Sequence, residues 1–480
     1  MRLSIWWIRR DLRLADNVTL TTAVKSSDHV LPVFILDPSL LNSSNVGEKR
    51  VAFLFEGLRQ LKTDLESRGG RLIIRKGQPL KELKRLVEQS GAESIYAEED
   101  VSPYAKQRDG HITANVPLHL FPGLTIHHPS AVVKADGSPY KTYTPFQRAW
   151  KSLPFSHRDS LLPIPERIST PPDIESDSFP DPPAPVVKTM FSPGERQASQ
   201  HLRAFVDGDD PPIYRYANQR DRIDIAGTSQ LSPYLRFGML SPRQAVVSAR
   251  LAMETAPNDI AHRGAETWLN ELIWREFYIG ILYHFPQVQT SSFRANLRSI
   301  PWEDDKEAFS AWCSGQTGYP LIDAAMRQLV QTGWMHNRGR MIVASFLIKD
   351  LLIDWRWGER WFMRHLVDGD PASNNGGWQW TAGTGTDAAP YFRIFNPILQ
   401  SKKFDPHGKY IRNWVPELQN VPSKYIHEPW RMPIDAQREI HCVIGEHYPS
   451  PIIDHAWARE RAIAVYRRAQ ERAQADKGEI

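Results

Sequence analysis

Two cysteines in 480 residues, Cys313 and Cys442, are too few for a disulfide framework or a four-ligand zinc site, and they fit a reducing cytosol. No run approaches the roughly 20 apolar residues of a membrane-spanning helix. The opening MRLSIWWIRRDLRLADN puts charge where a signal peptide needs a long apolar stretch, so the expectation is a cytoplasmic protein. Neither sign of charge dominates: 59 Lys+Arg face 55 Asp+Glu, a net +4 that excludes a histone-like polycation. No H-E-x-x-H, P-loop or G-x-S-x-G is present, which leaves metal or serine hydrolysis without a carrier. The first strand is not followed by G-x-G-x-x-G, so NAD binding of the usual kind is unsupported. The stretch from Gly383 to Ala388 fits that fingerprint loosely, but no strand precedes it.

What is present is a globular composition, 41% hydrophobic and 24% charged, with length for about two to four domains. The first 130 residues alternate β-type runs (4–8, 30–36, 71–75, 94–97) with helical patterns at 48–68 and 78–90, closed in the first case by Gly69 and Gly70. That alternation predicts a parallel sheet with helices on both faces. Ten prolines then fall within 154–193, which predicts an extended connector over the surface. Beyond about residue 195 the spacing is helical, at 243–255, 265–285, 320–332, 338–353, 358–367 and 456–475. The expected organisation is an α/β domain over 1–130, a proline-rich connector over 131–198 and a helical domain over 199–475.

Tryptophan is the outlier, with 16 in the chain and ten of them between 268 and 380. Core packing is the default for any one indole. A cluster of this size also suits stacking on a flavin or on nucleobases, or an electron path. Basic residues are interleaved with it over 334–364, the pattern of a solvated helix face or of a nucleic-acid surface. Segment 366–380 (LVDGDPASNNGGWQW) reads as a polar helix-to-helix loop holding two carboxylates, Asp368 and Asp370. The hydroxyls of Thr228, Ser229 and Ser232 suit either a phosphate or the N-cap of a helix at 231–238.

Long stretches of this sequence carry a resemblance. RRDLRLADN (9–17), WLNELIWREFY (268–278), WRWGERWFMRHLVDGDPASNNGGWQW (355–380) and GTDAAPYFRIFNPILQSKKFD (385–405) closely resemble the photolyase/cryptochrome family. Within it the chain looks like the class I cyclobutane pyrimidine dimer photolyases of microbes. The resemblance implies an α/β antenna domain with a Rossmann-like parallel sheet, and an all-helical domain that binds FAD and DNA. FAD, working as FADH⁻, would lie against Tyr216, Thr228, Ser229, Gln230, Leu231, Ser232 and Trp268. Arg340, Asp368, Gly369 and Asp370 would surround the isoalloxazine, and Asn374 would face flavin N5. A flipped-out dimer would meet Glu271, Trp274, Arg275, Asn337, Arg338, Met341 and Trp380, and Arg220 and Gln400 match DNA-contacting positions.

Glu271 would hydrogen-bond the base carbonyls during light-driven electron transfer from FADH⁻. Trp378, Trp355 and Trp302 would form the photoreduction chain. The (6-4) photolyases carry two histidines where this chain has Asn337 and Met341, which favours the cyclobutane dimer as lesion. A light-sensing cryptochrome without repair is the alternative, and the short tail after the last helix argues against it. Arg10, Phe34, Arg50 and Asp100 resemble an antenna site of the 8-hydroxy-5-deazaflavin type. Arg236 stands where such binders have Lys, which leaves folate or a flavin open. The implied partner is UV-damaged DNA, the implied state a monomer without metal or membrane.

Overall fold

The computed structural model of the chain describes residues 2–155, 161–179, 181 and 190–478. The N-terminal part contains five parallel strands, β1 (Leu3–Ile8), β2 (His29–Leu36), β3 (Ile73–Lys76), β4 (Ser94–Glu98) and β5 (Leu118–Phe121), in the order β3-β2-β1-β4-β5. β1 is central and buried at every position, which is why LSIWWI reads as one continuous apolar run: helices cover both faces. The helices Glu48–Glu66 and Pro79–Ser90 lie where the periodicity puts them. β5 is an addition to the four strands expected. Its four residues, LHLF, carry a histidine and pair with β4 from Ile95–Leu118 to Glu98–Phe121.

The segment expected as connector, 131–198, is not extended throughout: the helix Tyr143–Ser152 lies within it and the helix Glu195–Val206 begins before its end, whereas 161–179 contains neither helix nor strand. This last stretch runs along the β3 edge, where Asp177 N–H donates to the Ile74 carbonyl at 2.9 Å and Ile74 N–H to Ser176 Oγ at 2.9 Å. Ile174 is buried in the sheet's apolar cluster, so an exposed edge is covered. The prolines at 180, 182, 183 and 185 lie outside the described residues. Upstream of the first of the ten prolines, Tyr143–Ser152 forms a helix with Tyr143, Phe146 and Trp150 buried.

The C-terminal part is mostly helical, with Pro242–Glu254, Asp259–His284, Pro320–Thr332, Trp355–His365 and His455–Gly478 near their expected positions. Two expectations need correction. The single helix over 338–353 is instead Asn337–Ser345 followed by a wide π turn, Phe346–Asp350. That turn buries two charged side chains: Lys349 donates to the Ala382 carbonyl at 3.1 Å, and Asp350 meets His455 Nδ1 at 2.5 Å. The second is 366–380, where only 366–370 is loop and Pro371–Ala382 is helix. Its glycines and asparagines hid it, but Asn375 and Gln379 are buried and bonded to one another and to the Val288 carbonyl.

By compactness the chain forms two units. One comprises Met1–Ala217, Ser229–Pro286 and Val367–Ala372; the other comprises Asn218–Thr228, Gln287–Leu366 and Ser373–Ile480. The second has a large apolar cluster that includes Trp312, Phe346, Trp355, Phe362 and Trp378. Among the described residues no helix is long and apolar enough to cross a membrane.

Candidate functional site

In the first unit, Asp259–His284 carries Trp268, Glu271, Trp274 and Arg275. Trp268 is buried and its Nε1 donates to Ser229 Oγ at 3.2 Å. Tyr216 and Trp268 both pack on Phe205, at ring distances of 5.9 and 5.2 Å. The hydroxyl segment is not an N-cap: Leu231 holds the cap position without a side-chain bond, and Ser232 is the first residue of the helix Ser232–Phe237. Gln230 takes a positive φ of 52° there. Trp274 lies flat on Tyr143, with centroids 3.6 Å and planes 5° apart. Glu271 and Trp274 are three residues apart, so they share a helix face. Arg275 donates to the Leu124 carbonyl at 2.9 Å, and burial lowers its pKa.

The expected antenna residues fall in the same unit as Asp368, Gly369 and Asp370, and several of them meet. Arg10 lies 2.9 Å from Asp370 and 3.5 Å from Asp100. Burial works against the Asp100 carboxylate, but Arg10 and the Ser102 N–H outweigh it and hold its pKa below the ordinary range. Burial pushes Arg236 down to about 9, with Arg10 and Arg50 adding to the effect. Burial also pushes Arg50 down to about 10, against the pull of Asp368 and Asp370. Phe34 is buried in β2. The cluster sets Arg10, Arg50 and Arg236 against Asp100, Asp368 and Asp370 in a poorly solvated place, where burial works against every charge.

In the second unit, Asn337 and Met341 touch across one helical turn, Nδ2 to Sδ at 3.8 Å. Arg338 pairs with Asp221 at 2.6 Å and lies over the Phe404 ring at 4.7 Å. Arg340 donates to the Met335 carbonyl at 2.8 Å. Asn374 donates from Nδ2 to the Glu359 carbonyl at 3.0 Å, while the Glu359 carboxyl accepts from Asn375 at 3.0 Å. Burial pushes that carboxyl up to about 7. Trp378 and Trp355 are fully buried, and Trp302 packs half-buried against the same cluster. Trp378 is possible only because residue 358 is Gly: a Cβ there would stand 2.0 Å from Trp378 Cη2. Arg220, Thr228, Trp380 and Gln400 are half-buried in this unit.

These residues sit in a chain whose positions 268–468 match the model of the FAD binding domain of DNA photolyase, and whose positions 4–167 match the DNA photolyase model. It belongs to the photolyase family. The chain is 40% identical to the deoxyribodipyrimidine photo-lyase of Agrobacterium fabrum over 96% of its own length and 97% of that protein's. Its identity to the photo-lyase of Escherichia coli is 39%, over 98% and 99%. A bacterial class III photolyase from Agrobacterium tumefaciens superposes with a TM-score of 0.90 at 38% identity, covering 98% of each chain. A cryptochrome from Synechocystis superposes at 0.88 with 30% identity, covering 97% and 99%. An archaeal photolyase from Sulfolobus tokodaii, described with two FAD molecules, superposes at 0.82 with 32% identity, covering 97% and 100%.

As in the photolyase family, the helical half of this chain is an FAD-binding domain. In that domain Trp378 Nε1 is buried with no hydrogen-bond acceptor among the described residues, an orphaned donor of the kind a bound group can satisfy. Among those residues no cluster of His, Cys, Asp and Glu is arranged for a metal. Two neighbours escaped the sequence reading. Tyr143 lies 131 positions before Trp274 in the chain, and Asp221 is similarly far from Arg338, so only folding reveals either pair. The single sequence signal was the aromatic pair in KTYTPF.

Proposed function

We propose that this chain is a light-driven carbon–carbon lyase that splits cyclobutane pyrimidine dimers in DNA, with FAD as its working cofactor, acting as a monomer. The observation that carries the reading is Trp274, an indole fixed flat by Tyr143 beside the carboxyl-bearing Glu271 on one helix face. A dimer stacks poorly in its duplex, so flipping it out costs less than flipping a normal base, and a fixed indole receives it without losing rotamer freedom.

Reduced FAD, when bound, would lend the electron that opens the cyclobutane ring under light and take it back once the two pyrimidines have separated, so the splitting is redox-neutral. The chain's own residues do the rest. Ser229, Leu231 and Ser232 take the phosphate end, with Ser229 oriented by Trp268. Asn374, whose amide nitrogen donates to the Glu359 carbonyl, would have its oxygen left to accept a hydrogen bond from the reduced flavin. Glu271 offers its carboxyl to the base carbonyls of the dimer. Trp378, Trp355 and Trp302 carry electrons inward, the half-buried Trp302 being the outer end. Arg220, Arg338 and Gln400 contact the DNA strand.

A second chromophore of the 8-hydroxy-5-deazaflavin kind is inferred from the residues that resemble such a site, Arg10, Phe34, Arg50 and Asp100, where an arginine would pair with the anion of its acidic hydroxyl. The absorption spectrum of protein from its native host separates this from folate or flavin. The reading as a whole is tested by dark binding: FAD-loaded protein should hold a dimer-containing duplex far more tightly than the same duplex undamaged. Equal affinity for the two would overturn it.

A further inference from the structure

The loop Val367–Ala372 supplies the carboxylates that the family resemblance gives to flavin, yet Asp370 is tied up by neighbours in its own unit. Its Oδ2 meets Arg10 Nη2 at 2.9 Å, and its Oδ1 accepts the Ala372 N–H at 3.0 Å. Arg236 Nε donates to the Gly369 carbonyl at 2.8 Å and lies 4.0 Å from Asp370 Oδ2. The two arginines are themselves linked, Arg10 Nε donating to the Arg236 carbonyl at 3.3 Å.

Local structure fixes both of them. Arg10 follows β1 and Asp100 follows β4, adjacent strands between which the sheet order reverses. In doubly wound sheets that point is a crevice open to ligands; here Arg10 reaches from it to Asp100 and to the loop. Arg236 is brought close by Gly238, where a Cβ would stand only 1.7 Å from the Arg10 carbonyl oxygen. Leu12 N–H to the Phe237 carbonyl, 3.2 Å, and Arg13 Nη1 to the Gly238 carbonyl, 3.0 Å, complete the attachment. No side chain larger than hydrogen at 238 allows it.

We propose that Arg10 and Arg236 are positioning residues for the flavin loop, holding Gly369 and Asp370 so that Asp368 is the carboxylate the loop presents to the cofactor. Asp370 is then the loop's anchor rather than a flavin ligand, and Arg10, besides its place in the cluster with Asp100, serves the flavin through this loop. The proposal rests on the reading that this loop faces FAD. Such clamps act because a charge-assisted bond in a poorly solvated place holds one geometry, and losing one partner leaves the other charge buried and unpaired.

The test uses the FAD-loaded full chain and its variants Arg10→Gln, Arg236→Gln, Asp370→Asn and the double variant Arg10→Gln/Asp370→Asn. FAD dissociation rate and flavin midpoint potential are both measured, because a merely structural defect would change retention without moving the potential. Each single change is expected to speed FAD loss by about tenfold, the scale of one charge-assisted hydrogen bond, and to shift the potential. The double variant should be no worse than Asp370→Asn alone, and Arg10→Lys should recover part of the loss. Additive effects in the double variant, or unchanged retention and potential in both arginine variants, would overturn the proposal. A wild-type chain that takes up no FAD would overturn the reading beneath it, an outcome seen without any variant. If Asp370→Asn fails to fold, the two arginine variants and Arg10→Lys decide the matter.

Discussion

Tyr143 and Trp274 are stacked with their ring centroids 3.6 Å apart and their planes within 5°, and the Tyr143 hydroxyl donates to the Asn270 carbonyl at 2.8 Å. One face of the indole is thereby occupied and the ring cannot turn. Replacing Tyr143 with Leu should weaken dark binding to dimer-containing DNA by about five- to tenfold, the scale of one aromatic stacking contact. Tyr143→Phe keeps the stack and should bind nearly as well as wild type. Gel-shift titrations with both variants check this, and equal losses in the two would show that the stack is irrelevant.

Gly358 and Trp378 give a sharper case. A methyl group at 358 has nowhere to go but into the indole, 2.0 Å from Cη2, with Trp378 Cζ3 at 2.5 Å and Leu347 Cδ2 at 2.7 Å. Gly358→Ala should cost about 1–3 kcal/mol in denaturant unfolding, as overpacking does, and should slow photoreduction of oxidised cofactor. Trp355→Phe should slow photoreduction as well, while pre-reduced protein still repairs. Loss of repair by the pre-reduced variant would remove Trp355 from the electron path.

Arg338 is half-neutralised by Asp221, its partner at 2.6 Å. Asp221→Asn releases that charge toward DNA. The expected result is tighter binding to undamaged DNA at low salt, with the slope of log K against log salt steeper by about one unit. A slope unchanged from wild type would mean that Arg338 does not meet phosphate.

Burial pushes the Glu359 carboxyl from 4.5 up to about 7, against the bond from Asn375 and the attraction of Arg360; Asp354 raises it and Arg356 lowers it. A carboxyl whose folded pKa lies above its unfolded value binds its proton more tightly when folded. The stability this confers is complete below about pH 4.5 and is lost as pH rises through about 7. Glu359→Gln keeps the neutral form at every pH. Between pH 5 and 8 the wild-type Tm should therefore fall more than that of the variant, and parallel curves in thermal melts would refute the assignment.

Four strands and most helices are legible because each rests on a local signal: branched apolar runs for β1 to β4, and a 3.6-residue period with a clear stop for the helices. β5 does not announce itself because its four residues, broken by His119, stand between Pro117 and Pro122. The break at Phe346–Asp350 is invisible for a different reason. Lys349 and Asp350 read as solvent-facing charges, and their partners Ala382 and His455 come from far along the chain. Helix Pro371–Ala382 is masked by Gly376 and Gly377, while Asn375 and Gln379 that hold it look like loop residues. The site itself is legible mainly through its long motifs, 268–278 and 355–405. What no motif conveys is the set of supports: Tyr143 beneath Trp274, Asp221 on Arg338, and Arg10 reaching to Asp370.

The most direct measurement is repair itself. Purified protein with reduced FAD is mixed with an oligonucleotide bearing one thymine dimer and held under blue light or in darkness. Dimers are then counted by chromatography. Dimers should disappear in the light, stay intact in the dark, and persist in the light with Glu271→Ala at a much lower rate of loss. Protein that photoreduces its flavin yet leaves the dimers untouched in the light would contradict the account and point to light sensing instead.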